Sequence, residues 1–196
     1  MFIDIFLIFF AYLLGSLSGA LIVCKMMGLP DPRTQGSGNP GATNVLRHGG
    51  KKAALITLCL DVLKGVIAIG VAKFFTTEEI VLAGAGLAVF LGHLYPVFFH
   101  FRGGKGVATA FGALLILAWQ VSLATLATWL FMAMLFRYSA LAAIIAAIST
   151  PAYMWFTGIR EYIFMSFIMA ILLIWRHRSN IRNLLKGQED KIGQKK

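Results

Sequence analysis

Long blocks of apolar residues alternate along this chain with short polar segments. Residues 5–24 form one block without a charge. Blocks follow at 53–72, interrupted by Asp61 and Lys64, at 80–101 and at 138–159. Each is about the 20 residues a helix needs to cross a bilayer. A shorter block, 162–175, can be extended if Arg160 and Glu161 reach up to the interface. The block 107–136 has no charge over 30 residues. As one helix it would be about 45 Å long, against a hydrocarbon core of about 30 Å. Trp119 and Gln120 stand near its middle and suit a membrane–water interface. The block therefore reads as a hairpin of two short helices.

Composition agrees with that pattern. Of 196 residues, 59% are hydrophobic and 13% charged, where a soluble domain carries about a quarter charged residues. An integral membrane protein is predicted, and no cleavable signal peptide is expected ahead of the first span. Charge then sets the sidedness. The segment 25–52 carries Lys25, Arg33, Arg47, Lys51 and Lys52 and belongs in the cytoplasm, whereas "TTEE" at 76–79 has no Lys or Arg and belongs outside. "FRGGKG" returns inside. Arg137 and the basic C-terminal segment also fall inside if 107–136 is a hairpin, and the segment falls outside if it is one span. The fold class predicted is all-α integral membrane: seven transmembrane helices, N-terminus outside, C-terminus cytoplasmic, with short helices in the 107–136 hairpin. Residues 1–190 read as a single transmembrane domain and 191–196 as a disordered basic tail. The net charge of +10 follows the positive-inside bias and needs no nucleic acid. Cys24 and Cys59 lack metal-ligand spacing and read as free thiols.

That topology gathers three polar segments, 33–52, 101–109 and 176–190, on one membrane face. In "GSGNPGATN", glycines allow sharp turns and close approach of backbone N–H groups to an anion. Gly36, Gly38, Ser37, Asn39, Thr43 and Asn44 supply that surface, and Arg47 adds a planar fork suited to phosphate. The glycine spacing at 36–41 formally matches a dinucleotide fingerprint, but the strand and βαβ context are missing. In "FRGGKGVAT", Gly103, Gly104 and Gly106 surround Lys105 and lead into a helix that includes Thr109. A helix N-terminus with nearby N–H groups favours an anion. In "RHRSNIRNLLKGQED", Arg176, His177, Arg178, Asn180, Arg182 and Lys186 crowd the end of the last span, while Ile181, Leu184 and Leu185 give a short interfacial helix that Gly187 stops. The plainer readings are a polar turn, a snorkelling lysine and an anchor for anionic lipid.

Asp61 and Lys64 lie three apart, on one helix face, and read as a buried structural pair. His93 reads as packed structure and His100 as a polar group near the site at best. No nucleophile triad, no acidic cluster for Mg²⁺ and no histidine followed five positions later by aspartate is present. No metal and no cofactor are expected. A transporter of an anionic phosphate metabolite fits the spans and basic loops, although no internal repeat supports it.

Together, "GSGNPGATN" with Arg47, "DVLKG", "GHLYPVFFHFRGGKGVAT" and "HRSNIRNLLKGQE" resemble the bacterial glycerol-3-phosphate acyltransferases that use acyl phosphate as donor, over nearly the whole chain. The resemblance implies a small seven-helix enzyme of the bacterial inner membrane, its active site at the cytoplasmic face. It implies acyl phosphate and glycerol 3-phosphate as substrates, and a lipid bilayer around what is expected to be a monomer. It further implies that Ser37, Arg47, Lys105, Asn180 and His177 stand around the reacting groups. Gly103, Gly104 and Gly106 would cradle a phosphate, and Thr109 and Arg182 would contact one. Glu189 would orient basic loop residues.

Overall fold

The computed structural model describes residues 1–193; the end of the expected tail, 194–196, lies outside the described residues. All regular structure among them is helical. Four helices are long and apolar enough to cross a membrane, five if one bent pair counts as a span, and two shorter apolar helices accompany them. The chain divides into two compact units, Met1–Leu117 and a second beginning at Ala118.

In the first unit, α1 (Phe2–Gly15) and α2 (Gly19–Met26) form the bent pair, at 42°. The bend falls at three residues, 16–18, that include two serines. Ser18 caps α2 by accepting from Leu21 N at 3.4 Å, and Ser16 Oγ donates to Tyr12 O at 2.9 Å. The long α3 (Ala42–Phe75) contains a break at Gly50, whose φ of 83° only glycine adopts readily. The segment read from sequence as a loop to residue 52 is thus helical from Ala42 onward. Gly41 starts the helix, and Gly50 separates a short first piece from the longer apolar remainder. α4 (Glu79–Leu94) begins with an acidic residue, which the helix dipole favours, and stops before Pro96. A 3₁₀ turn, Val97–Phe99, leads towards α5 (Val107–Leu117).

The helices of this unit approach closely through small residues, as helices do where lipid offers no hydrophobic drive. α1 packs on α4, and α3 packs on α2 and α5. A Cβ on Gly112 would overlap the Val62 carbonyl across the α3–α5 contact, and one on Gly65 would overlap Thr109 backbone. The Lys73 ammonium donates to Ile116 O at 3.0 Å and so satisfies a carbonyl in the last turn of α5. Gly112→Ala is expected to cost about 1–3 kcal/mol through overpacking. Gly70→Ala, with nothing within 4 Å of the added carbon, should unfold at or slightly above the wild-type temperature, since alanine is the better helix former; thermal unfolding in detergent compares them.

The block 107–136 is interrupted at Ala118, whose φ of −152° and ψ of 74° are not helical. α6 (Trp119–Phe136) starts the second unit with Trp119 exposed, as a residue at an interface would be. α6 packs on α7 (Ser139–Thr157), α7 on α8 (Ile163–Arg176), and α9 (Arg178–Leu185) lies against both α7 and α8. Hydroxyls knit α6 to α7: Thr128 to Tyr153 at 2.6 Å and Thr125 to Thr150 at 3.1 Å. Pro151 inside α7 removes one helical N–H, and Ser149 and Thr150 bond back to the preceding turn. Arg160 lies 4.5 Å over the Trp155 ring, a cation–π contact at the end of the bundle. α9 ends before Gly187, as its sequence predicts.

Candidate active site

The first polar loop is organised from within by one amide. Asn44, in the first turn of α3, is 2% exposed. Its Nδ2 donates to Pro32 O at 2.8 Å and Gln35 O at 3.0 Å, and its Oδ1 accepts from Ser37 N at 3.2 Å. Both amide donors are thereby committed to the loop. Asn44 thus shapes the backbone that carries Gly36, Ser37 and Gly38. Ser37, Thr43 and Arg47 are exposed, and Asn39 is half-buried. Thr43 and Arg47 are four apart on the short first piece of α3 and share a face. Gly41 N donates to Asn39 O at 2.9 Å, so Asn39 sits at the N-terminus of α3, whose partial positive charge favours an anion. Arg33 instead forms a fork with Asp31, with contacts of 2.7 and 3.1 Å. Those hydrogen bonds hold the Asp31 carboxyl below the usual carboxylate range. Beneath the loop, a gap of about 10 Å³ lined by Asn44, Val45, His48 and Pro32 has room for no more than one water. Asn44→Ala should strand two carbonyls and the Ser37 N–H. A loss of about 1–3 kcal/mol is expected, with a fall in turnover as Ser37 moves; unfolding and steady-state kinetics read the two effects separately.

The second loop rests on a buried platform. Tyr12 Oη donates to Tyr95 O at 2.8 Å, and Val97 N donates to Ser16 Oγ at 3.3 Å, tying the end of α1 to the turn after α4. Under this junction Lys64 Nζ donates to Gly15 O at 3.0 Å and Leu17 O at 2.8 Å, lies 3.0 Å from Asp61 Oδ1 and contacts His93 Nδ1 at 2.8 Å. The pair foreseen at positions 61 and 64 is present, and His93 joins it. Gly104 N then donates to His93 O at 3.0 Å. Gly103 and Gly104 are buried, Lys105 is half-buried, and Val107 opens α5 two residues later. Gly106 has φ of 85° and packs under the Phe90 ring, so a side chain there meets both strain and overlap. Thr109 is fully buried at the α3–α5 contact beside Gly65, below the loop surface.

In the second unit, Asn180 Nδ2 donates to Glu189 Oε1 at 2.7 Å. His177 is 3% exposed and contacts Leu173 O through Nδ1 at 2.8 Å. A carbonyl partner requires that nitrogen to carry the proton, which sets the tautomer of the neutral ring. Arg182 is exposed on α9. Arg178 covers the Trp175 ring at 5.2 Å. The segment after α9 is held by Ile192 N to Arg137 O at 2.7 Å and Arg137 to Ile192 O at 3.1 Å.

A profile of the family described as glycerol-3-phosphate acyltransferase matches residues 5–187. The chain belongs to that family. A glycerol-3-phosphate acyltransferase of Thioalkalivibrio sulfidiphilus is 58% identical over 187 residues, covering 94% of this chain and 92% of the relative. That of Methylococcus capsulatus is 53% identical over 191 residues, covering 97% and 96%. Among crystal structures, PlsY (YgiH), an integral membrane glycerol 3-phosphate acyltransferase, superposes in its glycerol 3-phosphate form with a TM-score of 0.92 at 44% identity, covering 97% of this chain and 96% of that one. Its lysophosphatidic acid form gives 0.90 at 43%, covering 97% and 95%. The family resemblance read from the loops is thus borne out. The acyltransferase chain also shows what those loops rest on: Tyr12, Ser16 and His93 support the second loop, and no sequence spacing announced them, because each partner lies on another helix.

Proposed function

We propose that the chain transfers a fatty acyl group from acyl phosphate to the 1-hydroxyl of glycerol 3-phosphate, giving lysophosphatidic acid and inorganic phosphate. The observation that carries this reading is membership of the acyltransferase family, together with relatives solved in glycerol 3-phosphate and lysophosphatidic acid forms. The chemistry asks little of side chains. The acceptor oxygen attacks the acyl carbonyl carbon, the bond from that carbon to the phosphate oxygen breaks, and phosphate departs with the electron pair. An acyl phosphate is an activated anhydride, so positioning and charge stabilisation supply most of the catalysis. Ser37, Arg47, Lys105 and Asn180 orient the two phosphates. Gly36, Gly38, Asn39, Thr43, Gly103, Gly104, Gly106 and Arg182 line their sites. Asn44 and Glu189 hold loop residues in place through the hydrogen bonds described above.

The acceptor proton goes to a substrate phosphate. His177 is buried and bonded to a main-chain carbonyl, which suits an orienting role. His177→Ala is expected to retain measurable turnover; complete loss, with binding of both substrates and folding intact, would make the imidazole the base.

Seven spans serve this reading: the bent α1–α2 pair, α3, α4, the short α5, α6, α7 and the short α8. The N-terminus is outside and the C-terminus cytoplasmic, which keeps the basic segments on one face. The enzyme works as a monomer in the bacterial inner membrane, with its site at the cytoplasmic face. The test is detergent-purified protein given glycerol 3-phosphate with either palmitoyl phosphate or palmitoyl-CoA, the products read by mass spectrometry. Lysophosphatidic acid from palmitoyl phosphate alone supports the reading. Product from palmitoyl-CoA alone overturns the donor, and no product from folded protein with several acyl lengths favours a transporter, which needs a sealed vesicle.

A further inference from the structure

We infer that His93 is a positioning residue, which seats the 101–106 loop on the buried Asp61–Lys64 pair; this rests on the assignment of that loop to a substrate phosphate. Three observations meet at this residue. Its Nδ1 lies 2.8 Å from the Lys64 ammonium, which also donates to Gly15 O and Leu17 O at the end of α1. The same Nδ1 stands 3.6 Å from Asp61 Oδ1, so the imidazole is held between both members of the pair and the ring is fixed in rotation. Its main-chain carbonyl receives Gly104 N at 3.0 Å. Its other edge is the surface on which Gly104 lies. A Cβ on Gly104 would overlap Nε2 and stand 3.0 Å from Cε1 and 3.1 Å from Cδ2, with no other residue among its three nearest atoms.

Gly103 differs in kind. A Cβ there would overlap the His93 main-chain carbonyl and stand 2.7 Å from that of Leu94, with Pro96 also in the way. Glycine at 103 is therefore required by backbone, and glycine at 104 by the imidazole. Lys105 follows directly, so the height of Gly104 above the ring sets where the lysine begins. An ion pair inside the helices thereby fixes the geometry of a surface loop. The imidazole touches no reacting atom in this scheme.

Five variants test the assignment: Gly104→Ala, His93→Ala, their double, and Gly103→Ala with and without His93→Ala. Without the imidazole, Lys64 keeps two carbonyls and Asp61, so His93→Ala is expected to fold. Gly104→Ala should raise KM for one of the two substrates at least tenfold and leave the other KM unchanged. His93→Ala should raise the same KM severalfold. In the double, the added methyl occupies the space of the ring, and that KM should return to within about threefold of His93→Ala alone. Gly103→Ala should gain nothing from the same deletion. A double as impaired as the product of the single effects, or a His93→Ala protein with both KM values unchanged, overturns the proposal. If His93→Ala does not fold, His93→Asn repeats the cycle: its Oδ1 keeps an acceptor for Lys64, and the Nε2 edge is gone. Wild-type turnover is measured first, with Lys105→Ala beside it. Absence of wild-type product sinks the reaction, and undiminished turnover in folded Lys105→Ala sinks the loop assignment. Failure of the rescue alone sinks the role of His93.

Discussion

Lys105→Ala is expected to lower kcat by about 10²–10³-fold, the usual loss when one preorganised charge-stabilising donor is removed from an active site. The lysine stands two residues before α5, half-buried on a loop whose neighbours Gly103, Gly104 and Gly106 are fully packed. Such a loop pays little reorganisation as charge builds on the departing phosphate. The helix end adds its own partial positive charge in the same place. Lys105→Arg should recover only part of the rate, since a planar fork replaces a compact ammonium on a backbone that cannot shift to suit it. Steady-state kinetics on protein shown to be folded read the effect. A Lys105→Ala enzyme within threefold of wild type would remove the residue from the site.

Lys64→Met is expected to destabilise the first unit by about 3–5 kcal/mol, the cost of leaving one partner of a buried pair without its counter-charge. The side chains of Lys64 and Asp61 are 5% and 3% exposed. Their surroundings are helix backbone and His93, so an isolated Asp61 carboxylate would have no water to turn to. Asp61→Asn combined with Lys64→Met removes both charges, and much of the loss should return. The carbonyls of Gly15 and Leu17, which lose their donor in either protein, account for the part that does not. Chemical unfolding in detergent measures the cycle. Equal stability of the single and double variants would mean that the charge pair contributes nothing.

Much of this arrangement was legible in the sequence. Asp61 and Lys64 were found because their partnership is local, three residues apart on one helix. The interruption within 107–136 was found because an uncharged run of that length exceeds the membrane, and Trp119 marked where it falls. Local signals could not show the remainder. Residues 42–49 were read as loop because glycine, asparagine and threonine suit a turn equally well, and only Gly50 marks the helix break. Asn44 was read as facing a ligand, whereas its amide turns inward to carbonyls nine and twelve residues earlier. His93 was read as packing, and its link to Lys64 spans 29 residues. Arg137 was read only as a cytoplasmic charge, yet it holds Ile192 across 55 residues. For Asn44, His93 and Arg137 the missing information was which distant segment folds back onto the residue, which residue spacing along a single chain does not carry.

The central claim is that these loops hold two phosphates while an acyl group passes between their substrates. The most direct measurement is release of inorganic phosphate from palmitoyl phosphate by purified protein, with and without glycerol 3-phosphate, alongside Lys105→Ala. The account predicts release that depends on the acceptor, matches lysophosphatidic acid formation one for one, and is lost in the variant. Release at the same rate without glycerol 3-phosphate, or undiminished in folded Lys105→Ala protein, would contradict it.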